Sequence, residues 1–400
     1  MMYDRLNLSD SEVWIMYSSE GSDPYFGKFI TDKTIVPSAA ILSKRQSTLF
    51  VHELDKENVK NNFSGEIIIY DSENTIIKCI NKTLEKLKFP SKIYLNYSDR
   101  LDSQTDVLGH GTFRYLSDNI SEFYRNNGKS EPQFSSADEI IYFLLDSKTD
   151  EDIKYLKIAA NRALEILNIA FKKIRPGMSE KMIANLVHNI FKQKPACFKK
   201  FGIVSENFSW EKETCPIVLV GENLQKGGHS APSDKILKHG DTVYFDFGVK
   251  IALKNGKSYS SDLQRMGYVL MPSEKAPPQN IKDVFNTLTE AIQKGIENML
   301  PNKKGFEIDE IVRNHIVNSG YPNYNHATGH PIGENAHNPG TSISPRGYKR
   351  SEMEIRENGV YTIEPRIQIP NGGSIEEMIM VTKKGGLPLC PPQKSLYLIR

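Results

Sequence analysis

The sequence predicts an α+β protein with two domains, and three observations support this fold class. The chain has 400 residues, which is more than one ordinary hydrophobic core accommodates. Its first third alternates strand-like segments with a helical one, as a smaller mixed α/β domain does. The remainder contains the order helix, helix, strand twice, which predicts a duplicated unit with a site between its halves. We expect the domains to span 1–148 and 149–400.

Five segments of the N-terminal domain are rich in β-branched and aromatic residues, which favours strands. They are 13–17, 35–42, 47–54, 66–70 and 92–96. A helix is predicted over 72–88, where isoleucine and leucine recur at helical spacing. His110 has no acidic partner nearby in sequence and is predicted to lie in a loop. The polar stretch 126–136, broken by glycine and proline, predicts a linker before a short helix at 137–146.

The C-terminal domain is predicted to open with two helices. Apolar residues between Ile153 and Phe171 follow one helical face, and this helix ends before Pro176. Ser179 is predicted to cap a second helix that continues to Phe191. Strands are predicted at 216–220, 242–249 and 265–271. The second set comprises helices at 279–299 and 307–317 and strands at 360–369 and 375–382.

The composition excludes some classes of partner. Lysine and arginine number 51 against 49 acidic residues, so no attraction to nucleic acid or to a membrane surface is expected. The N-terminus has no basic-then-apolar signal pattern, and no apolar run approaches membrane-spanning length. The four cysteines are far apart and form no C-x-x-C pair, which is typical of reduced thiols. We therefore expect a cytoplasmic protein.

Three of the nine histidines are close together in sequence: His326, His330 and His337. Gly329 and Gly333 flank the middle one, and a glycine lets the backbone approach a ligand closely because it has no Cβ. A histidine on such a loop is a candidate metal ligand or substrate contact. On its own, such a segment is more often an ordinary loop. The acidic residues elsewhere in the chain reverse that balance.

Two aspartates are predicted to lie close together on neighbouring strands. Asp246 occupies an apolar strand, where a carboxylate is costly to bury unless it is paired or bound to a metal ion. Asp262 lies at the start of the next strand, so an antiparallel pairing brings the two side by side. Like charges that close repel, and one carboxyl takes up a proton unless a cation lies between them.

Two glutamates near the end of the chain have defined directions. Pro365 forces Glu364 into an extended conformation, which fixes where its side chain points. Glu376 opens the last apolar strand, and the period of two directs it opposite to Glu377. We expect Glu377 to be a solvated strand end, whereas Glu376 joins the candidate ligands.

Four acids and one histidine form an oxygen-rich set of candidate ligands: Asp246, Asp262, Glu364, Glu376 and His330. Such a set is better suited to hard or borderline divalent ions than to a zinc ion bound by thiolates. Four carboxylates carry too much negative charge for one ion and fit two ions about 3.5–4 Å apart. The sequence therefore predicts two divalent metal ions, with Mn²⁺ preferred and Co²⁺, Fe²⁺ or Zn²⁺ as alternatives.

Residues 149–390 contain an ordered series of short motifs: Pro176-Gly-Met-Ser-Glu180, Gly221 to His229, Gly240-Asp241, Asp246-Phe-Gly, Ser261-Asp262-Leu-Gln-Arg265, Gly329-His330-Pro-Ile-Gly333, Thr362-Ile-Glu-Pro365 and Ile375-Glu376. In this order, the motifs resemble those of the metal-dependent aminopeptidases with the pita-bread fold, peptidase family M24. That family includes methionine aminopeptidase, aminopeptidase P and prolidase, together with metal-free creatinase. The N-terminal domain resembles, more loosely, the extra α/β domain of the creatinase and prolidase branch.

The resemblance implies a role for each of the five candidate ligands. Asp246 would chelate one ion, and Asp262 and Glu376 would bridge both. His330 and Glu364 would complete the shell of the other ion. All five residues are present, which argues against a metal-free, creatinase-like activity.

The resemblance also implies catalytic and substrate-binding residues. His229, His326 and His337 correspond to histidines that surround the substrate in the proline-specific branch. Glu364 would move a proton from the attacking water to the leaving nitrogen. Ser374 departs from the pattern because proline-specific members usually have an arginine there, and Arg366 is a candidate substitute.

The implied activity is hydrolysis of the first peptide bond of a peptide or dipeptide with proline in second position. Two metal ions would supply hydroxide near neutral pH. The alternatives are a general aminopeptidase on the same fold and a non-catalytic peptide-binding descendant. Relatives often pair through the N-terminal domain, which implies a homodimer.

Overall fold

The computed structural model of the chain describes residues 6, 8–59, 63–100, 102–193, 196–226 and 230–400. The chain divides into two compact units, Met1–Leu144 and Leu145–Arg400. This division falls within the helix Asp138–Asp146, slightly before the boundary expected from the sequence. Among the described residues, no helix is both long and apolar enough to cross a bilayer.

The N-terminal unit is built on a mixed sheet that has six strands within the described residues. The strands are β1 (Glu12–Ser18), β2 (Ser38–Ser43), β3 (Ser47–His52), β4 (Glu66–Tyr70), β5 (Lys92–Leu95) and β6 (Gln133–Ser136), in the spatial order β4-β3-β2-β1-β5-β6. The helices are α1 (Pro24–Phe29), α2 (Lys56–Val59), α3 (Ile76–Lys86), α4 (His110–Asn126) and the helix α5 (Asp138–Asp146), with a 3-10 turn at Glu53–Asp55. Strands β1 to β3 pair antiparallel, and the other neighbours pair parallel.

The core of this unit lies between the sheet and the helices α3 and α4. Ile15 and Phe50 from the sheet pack in one cluster with Ile80 of α3 and with Leu116 and Ile120 of α4. All five side chains are fully or almost fully buried. Burial of such side chains stabilises a fold by about 1.5–3 kcal/mol each, so the helices and the sheet depend on one another.

Two sequence-based expectations for this unit are wrong. His110 is the first residue of α4 rather than a loop residue. The stretch expected to be a linker contains β6, which pairs with β5 at the edge of the sheet. An edge strand is held by backbone hydrogen bonds and need not carry apolar side chains, so its polar sequence resembles that of a loop.

The C-terminal unit combines two pairs of helices with four sheets in the part of the chain that is described. The helices are α6 (Asp150–Lys173), α7 (Glu180–Phe191), α8 (Gln279–Asn298) and α9 (Gly305–Asn318), with 3-10 turns at Ala196–Phe201 and Gly221–Gln225. The strands are β7 (Ile203–Phe208), β8 (Ile217–Val220), β9 (Thr242–Phe247), β10 (Val249–Leu253), β11 (Ser258–Ser260), β12 (Leu263–Val269), β13 (Val360–Ile363), β14 (Arg366–Ile367), β15 (Gly373–Ser374), β16 (Glu377–Thr382), β17 (Gly385–Pro388) and β18 (Tyr397–Ile399).

The two halves of this unit have matching cores. In the first half, α6 and α7 pack with β8, β9 and β12 in one apolar cluster. In the second, α8 and α9 pack with β13 and β16 in another. The spatial orders are β18-β12-β9-β8 and β13-β16-β17, with β11-β10-β7 and β14-β15 as smaller sheets. The duplicated arrangement of helices and strands is therefore confirmed.

The start of each helix in the first pair follows from local chemistry. Thr149 accepts a hydrogen bond from the backbone N–H of Asp152, whose carboxylate accepts the N–H of Thr149 in return, a capping box at the start of α6. Ser179 accepts the N–H of Met182, so its predicted role as a helix cap is confirmed.

A glycine divides the strand that was expected to run from 242 to 249. A Cβ built on Gly248 would lie 2.1 Å from the carbonyl oxygen of Ser261, so only glycine fits where β9 gives way to β10. The Ser261 hydroxyl in turn accepts the N–H of Val249 at 2.9 Å. This contact fixes the chain immediately before Asp262.

Candidate metal centre

The five candidate ligands come from strands and loops of both halves of the C-terminal unit. Asp246 lies in β9 and Asp262 immediately before β12. His330 lies in the loop between α9 and β13, Glu364 directly follows β13, and Glu376 directly precedes β16. The four carboxylates thus lie within or directly next to strands, so the sheets determine the direction of each of these side chains.

The sheet register brings three of the acids to one place. In the antiparallel pairing of β9 and β12, Asp246 lies opposite Gln264. Gln264 also forms an antiparallel bridge with Glu376, through backbone hydrogen bonds of 3.4 and 3.2 Å. Asp262 is two residues before Gln264 and so points to the same face. The expected proximity of Asp246 and Asp262 thus arises across a diagonal, since the direct partner of Asp246 is Gln264.

His330 lies among the carboxylates. Its Nε2 atom is 3.6 Å from Glu364 Oε1, 3.7 Å from Glu376 Oε1 and 3.9 Å from Asp262 Oδ2. Its backbone is anchored to β13, because its N–H donates to Thr362 Oγ1 at 3.2 Å and its carbonyl accepts the N–H of Thr362 at 2.9 Å.

Ligand atoms from these residues are close enough to share cations. Asp246, Asp262 and Glu376 offer oxygens within 4.8 Å of one another, and His330, Glu364 and Glu376 offer a second such set. Glu376 belongs to both sets. A third set contains Asp262 and His330 with an additional residue described below.

Burial determines the electrostatics of the cluster. Burial raises the pKa values of Asp262 and Glu376 well above their ordinary range, and the neighbouring carboxylates raise them further. Burial, together with the Asp246 charge, raises the pKa of Glu364 to about 8, even though the hydrogen bond from the amide of Gln264 opposes this increase. In the absence of a cation, the cluster therefore holds protons near neutral pH.

Burial shifts the pKa of the His330 imidazole in the opposite direction to that of the carboxyl groups. Burial lowers the pKa of His330 well below its ordinary value, and His337 lowers it further. His330 is therefore neutral at physiological pH. A neutral imidazole is the form that ligates metal ions.

Three buried carboxylate oxygens indicate that these side chains fit a divalent metal site. Asp262 Oδ1 and both carboxylate oxygens of Glu376 are buried and accept no hydrogen bond from the N–H and hydroxyl groups of the described residues. A buried acceptor without a partner costs free energy, and a cation is the partner that several carboxylates can share. The oxygen-rich donors and the neutral imidazole suit borderline divalent ions.

A network on α9 holds the backbone around Glu364. The N–H of Glu364 donates to the carbonyl oxygen of Thr328 at 2.8 Å. The Thr328 hydroxyl donates to Asp309 Oδ1 at 2.6 Å, and Tyr324 Oη lies 2.6 Å from the same hydroxyl. The position of Glu364 therefore depends on a buried carboxylate of α9.

Arg313 completes this network. Its guanidinium donates to both carboxylate oxygens of Asp309, at 2.8 and 2.7 Å, and to the carbonyl oxygen of His326 at 2.9 Å. It also lies over the ring of Tyr324, 4.1 Å from the centroid. The segment that carries His326 is therefore fixed by one arginine that reaches from α9.

The three histidines expected around the substrate have different outcomes. The exposed His337 ring lies 4.2 Å from the His330 ring, centroid to centroid, and offers a nitrogen within 4.8 Å of ligand atoms of Asp262 and His330. His326 Nδ1 is 2.6 Å from the carbonyl oxygen of Ala327, and its ring packs on Tyr324. His229 lies outside the described residues.

The expectation for Glu377 is wrong. Its side chain is buried and forms a salt bridge with the fully buried Arg265, with 3.0 Å between Oε2 and Nη2. Glu376 and Glu377 do point in opposite directions, as expected. However, the face away from the metal centre packs against the C-terminal segment and is not exposed to water. Gln393 donates its backbone N–H to Glu377 Oε1 at 2.9 Å.

Sequence reasoning did not single out Gln264, which donates through Nε2 to Asp246 Oδ2 at 3.2 Å and to Glu364 Oε2 at 2.9 Å. It also did not single out Tyr244, whose hydroxyl donates to Asp246 Oδ2 at 3.1 Å. The strand alternation contained both signals. Gln264 is two residues from Asp262 and Tyr244 is two residues from Asp246, so each shares a face with a ligand candidate.

Arg366 and Ser374 are cross-strand partners in the ribbon formed by β14 and β15. Arg366 is almost completely buried, donates to the carbonyl oxygen of Leu224 at 3.2 Å and lies 5.4 Å from the ring centroid of Tyr244. The guanidinium charge lowers the pKa of Glu364. An arginine is thus present beside the cluster, on the strand that faces Ser374.

The sequence profile of metallopeptidase family M24 matches residues 154–383, more than half of the chain. The chain belongs to this family. The match covers all five candidate ligands and the network on α9. The N-terminal unit lies outside the matched range.

Similar proteins and solved structures extend the comparison over nearly the whole chain. A Xaa-Pro dipeptidase from Pyrococcus horikoshii is 24% identical over 384 residues, which cover 95% of this chain and 91% of that protein. The structure of a Xaa-Pro dipeptidase from Bacillus anthracis superposes with a TM-score of 0.66 at 24% identity, over 100% of this chain and 99% of that one. The structure of an X-Pro aminopeptidase from Thermotoga maritima gives a TM-score of 0.65 at 21% identity, over 97% of each chain. The predicted pita-bread fold with a preceding α/β domain is therefore confirmed.

Proposed function

We propose that this M24 protein hydrolyses the N-terminal peptide bond of Xaa-Pro dipeptides or peptides with the help of two divalent metal ions. The observation that carries the proposal is the convergence of four buried or partly buried carboxylates and one neutral imidazole in the C-terminal unit. The substrate class is supported by relatives that are themselves named Xaa-Pro dipeptidases or X-Pro aminopeptidase.

The five residues would hold the two ions as follows. Asp246 would bind one ion, Asp262 and Glu376 would bridge both, and His330 and Glu364 would bind the second. When bound, two such ions lower the pKa of water and polarise a carbonyl group. We propose Mn²⁺ as the preferred ion, with Co²⁺, Fe²⁺ and Zn²⁺ as alternatives, because the donors are mainly carboxylate oxygens.

The residues of this chain then orient the substrate and move the proton. Glu364 is our candidate for transferring a proton to the leaving nitrogen, since one of its oxygens is held by Gln264 and the other lies beside His330. His337 contacts the His330 ring from the exposed side, where a scissile carbonyl would enter. His326 and His229 are proposed as further walls of the substrate site.

Proline imposes a particular kind of recognition. Its nitrogen carries no hydrogen within a peptide, so the site must select the ring by shape rather than through a donor. A dipeptide also presents a carboxylate close to that ring. Arg366 is a buried cation beside the cluster whose charge acts on Glu364, and it is our candidate for favouring such a substrate.

A substrate panel tests the proposal. Purified protein loaded with Mn²⁺ is assayed on Xaa-Pro dipeptides, longer Xaa-Pro peptides and Xaa-Ala controls. We expect cleavage of the Xaa-Pro class, and a loss of about 100- to 10,000-fold in kcat/KM for Glu364→Ala. His330→Ala should lose the activity as well, whereas His315→Ala, which removes an α9 histidine paired with Glu290, should retain it.

The alternatives appear as distinct results of the same panel. Equal cleavage of Xaa-Ala and Xaa-Pro would indicate a general aminopeptidase. Binding without turnover would indicate a non-catalytic peptide-binding protein. Unchanged activity after complete removal of metal would contradict the proposal itself.

Two further properties remain proposals. The buried free thiols of Cys79, Cys215 and Cys390 support a reducing compartment, and we propose a cytoplasmic location, to be tested by cell fractionation. A homodimer is proposed from the family resemblance. Light scattering of the purified chain at several concentrations would test it.

A further inference from the structure

Gln264 is an uncharged side chain at the centre of the charged cluster. It is 4% exposed. Its backbone pairs with Asp246 on one side and with Glu376 on the other, so it joins the two halves of the C-terminal unit. Its side chain repeats this connection, because Nε2 reaches Asp246 of the first half at 3.2 Å and Glu364 of the second at 2.9 Å.

The primary amide of Gln264 provides hydrogen-bond donors that other side chains would not provide at this position. A primary amide has two N–H donors on one nitrogen, enough for one carboxylate each. A hydroxyl has a single proton and would satisfy only one carboxylate. A lysine would satisfy both, but its charge would compete with the ions for the same oxygens. A glutamine therefore lowers the repulsion between two carboxylates without occupying the place of a cation.

The orientation of the amide is set by the two carboxylates. Gln264 Oε1 is buried and accepts no hydrogen bond from the described residues. A buried acceptor without a donor costs free energy, so the side chain does not adopt this orientation for its own stability. The reverse orientation would direct Oε1 at the oxygens of Asp246 and Glu364, which is repulsive.

We propose that Gln264 is a positioning residue for the metal centre. Its two N–H donors hold Asp246 and Glu364 at the spacing that two ions require before either ion binds. The inference rests on the proposed pair of ions. It adds that the affinity for those ions depends on a residue that does not itself ligate them.

Calorimetric titration of ion-free protein with MnCl₂ tests this role. Gln264→Met keeps the length of the side chain and removes both N–H groups, and we expect it to bind Mn²⁺ about 10- to 100-fold more weakly than the wild type. Gln264→Glu keeps the shape and also removes both N–H groups. We expect the visible absorption spectrum of the Co²⁺-loaded protein to change in both variants, because the ligands are no longer held in the same geometry.

Gln393→Met is the matched control. Gln393 is also buried, but its side chain bonds to the backbone of Met266 and Ser395 rather than to a ligand candidate. This variant should unfold at a lower temperature and yet bind Mn²⁺ with wild-type affinity.

The outcomes separate the inference from the function on which it rests. Failure of the wild type to bind Mn²⁺ would refute the proposed metal centre. Two bound ions in the wild type, together with wild-type Mn²⁺ affinity in Gln264→Met and wild-type Co²⁺ spectra in both Gln264 variants, would refute only the positioning role. Loss of affinity in Gln393→Met to the same extent would also refute it, since any buried glutamine would then have that effect.

Discussion

The salt bridge between Arg265 and Glu377 predicts a large and specific loss of stability. Arg265 is fully buried, and its Nη2 donates to Glu377 Oε2 at 3.0 Å. Its Nη1 donates to the carbonyl oxygens of Gln264 and Glu376, at 2.9 and 2.8 Å. The Arg265 side chain therefore links the backbone segments of Gln264 and Glu376, which contribute to the metal centre. Glu377 neutralises the charge of Arg265.

The perturbation is Glu377→Gln. It leaves the guanidinium buried without a carboxylate, and breaking a buried pair in this way costs about 3–5 kcal/mol. Glu310→Gln is the control, because the salt bridge between Glu310 and Arg346 is exposed on both sides, and such pairs contribute about 0–1 kcal/mol. The expected difference between the two variants is therefore several kcal/mol.

Urea unfolding, followed by tryptophan fluorescence, measures this difference in the free energy of unfolding of the C-terminal unit. The chain has two tryptophans, Trp14 in the N-terminal unit and Trp210 in the C-terminal unit. In a Trp14→Phe background, the fluorescence of Trp210 reports the C-terminal unit alone. A free energy of unfolding for Glu377→Gln within about 1 kcal/mol of the Glu310→Gln value would refute the reasoning.

Three further predictions concern the metal centre. Because the pKa of Glu364 is raised to about 8 when folded, the folded ion-free protein holds a proton that the unfolded chain loses near pH 4.5. Its stability should therefore fall as pH rises from about 4.5 to 8, and Glu364→Gln should reduce that slope in urea unfolding at several pH values. Asp309→Asn weakens the salt bridge to Arg313 and the hydrogen bond from Thr328, so Mn²⁺ should bind about 10-fold more weakly by calorimetry, whereas unchanged affinity would contradict the network's role. Gly329→Ala places a Cβ 2.0 Å from the carbonyl oxygen of Thr362 and should abolish Mn²⁺ binding, whereas the same change at Gly111, where a Cβ meets nothing within 4 Å, should not.

The regular elements could be predicted where burial imposes a period on the sequence. The helices α6 to α9 and the strand β9 carry an apolar face, so their sequence shows it. The edge strand β6 could not be predicted, because its partner is the backbone of β5 and only Phe134 of its four side chains is apolar. The division of the strand at Gly248 depends on the distant carbonyl of Ser261, which no local pattern reveals.

The candidate ligands could be identified because their chemistry is unusual for their position. A carboxylate in an apolar strand, as at Asp246, is costly and therefore informative. Gln264 was not identified because a glutamine in a strand has an ordinary surface interpretation. Glu377 was misjudged for the same reason, since its buried partner Arg265 lies far away in sequence and becomes its neighbour only through the bridge at Glu376.

The proposed chemistry requires four acids and one imidazole to hold two divalent ions close together. Electron paramagnetic resonance of the ion-free protein during titration with Mn²⁺ reports this proximity, because neighbouring Mn²⁺ ions are spin-coupled. We predict uptake of two equivalents with a coupled spectrum, and loss of the coupling in Glu376→Gln, which removes a residue common to both ligand sets. A spectrum of isolated Mn²⁺ at saturation, or no uptake at all, would contradict the claim.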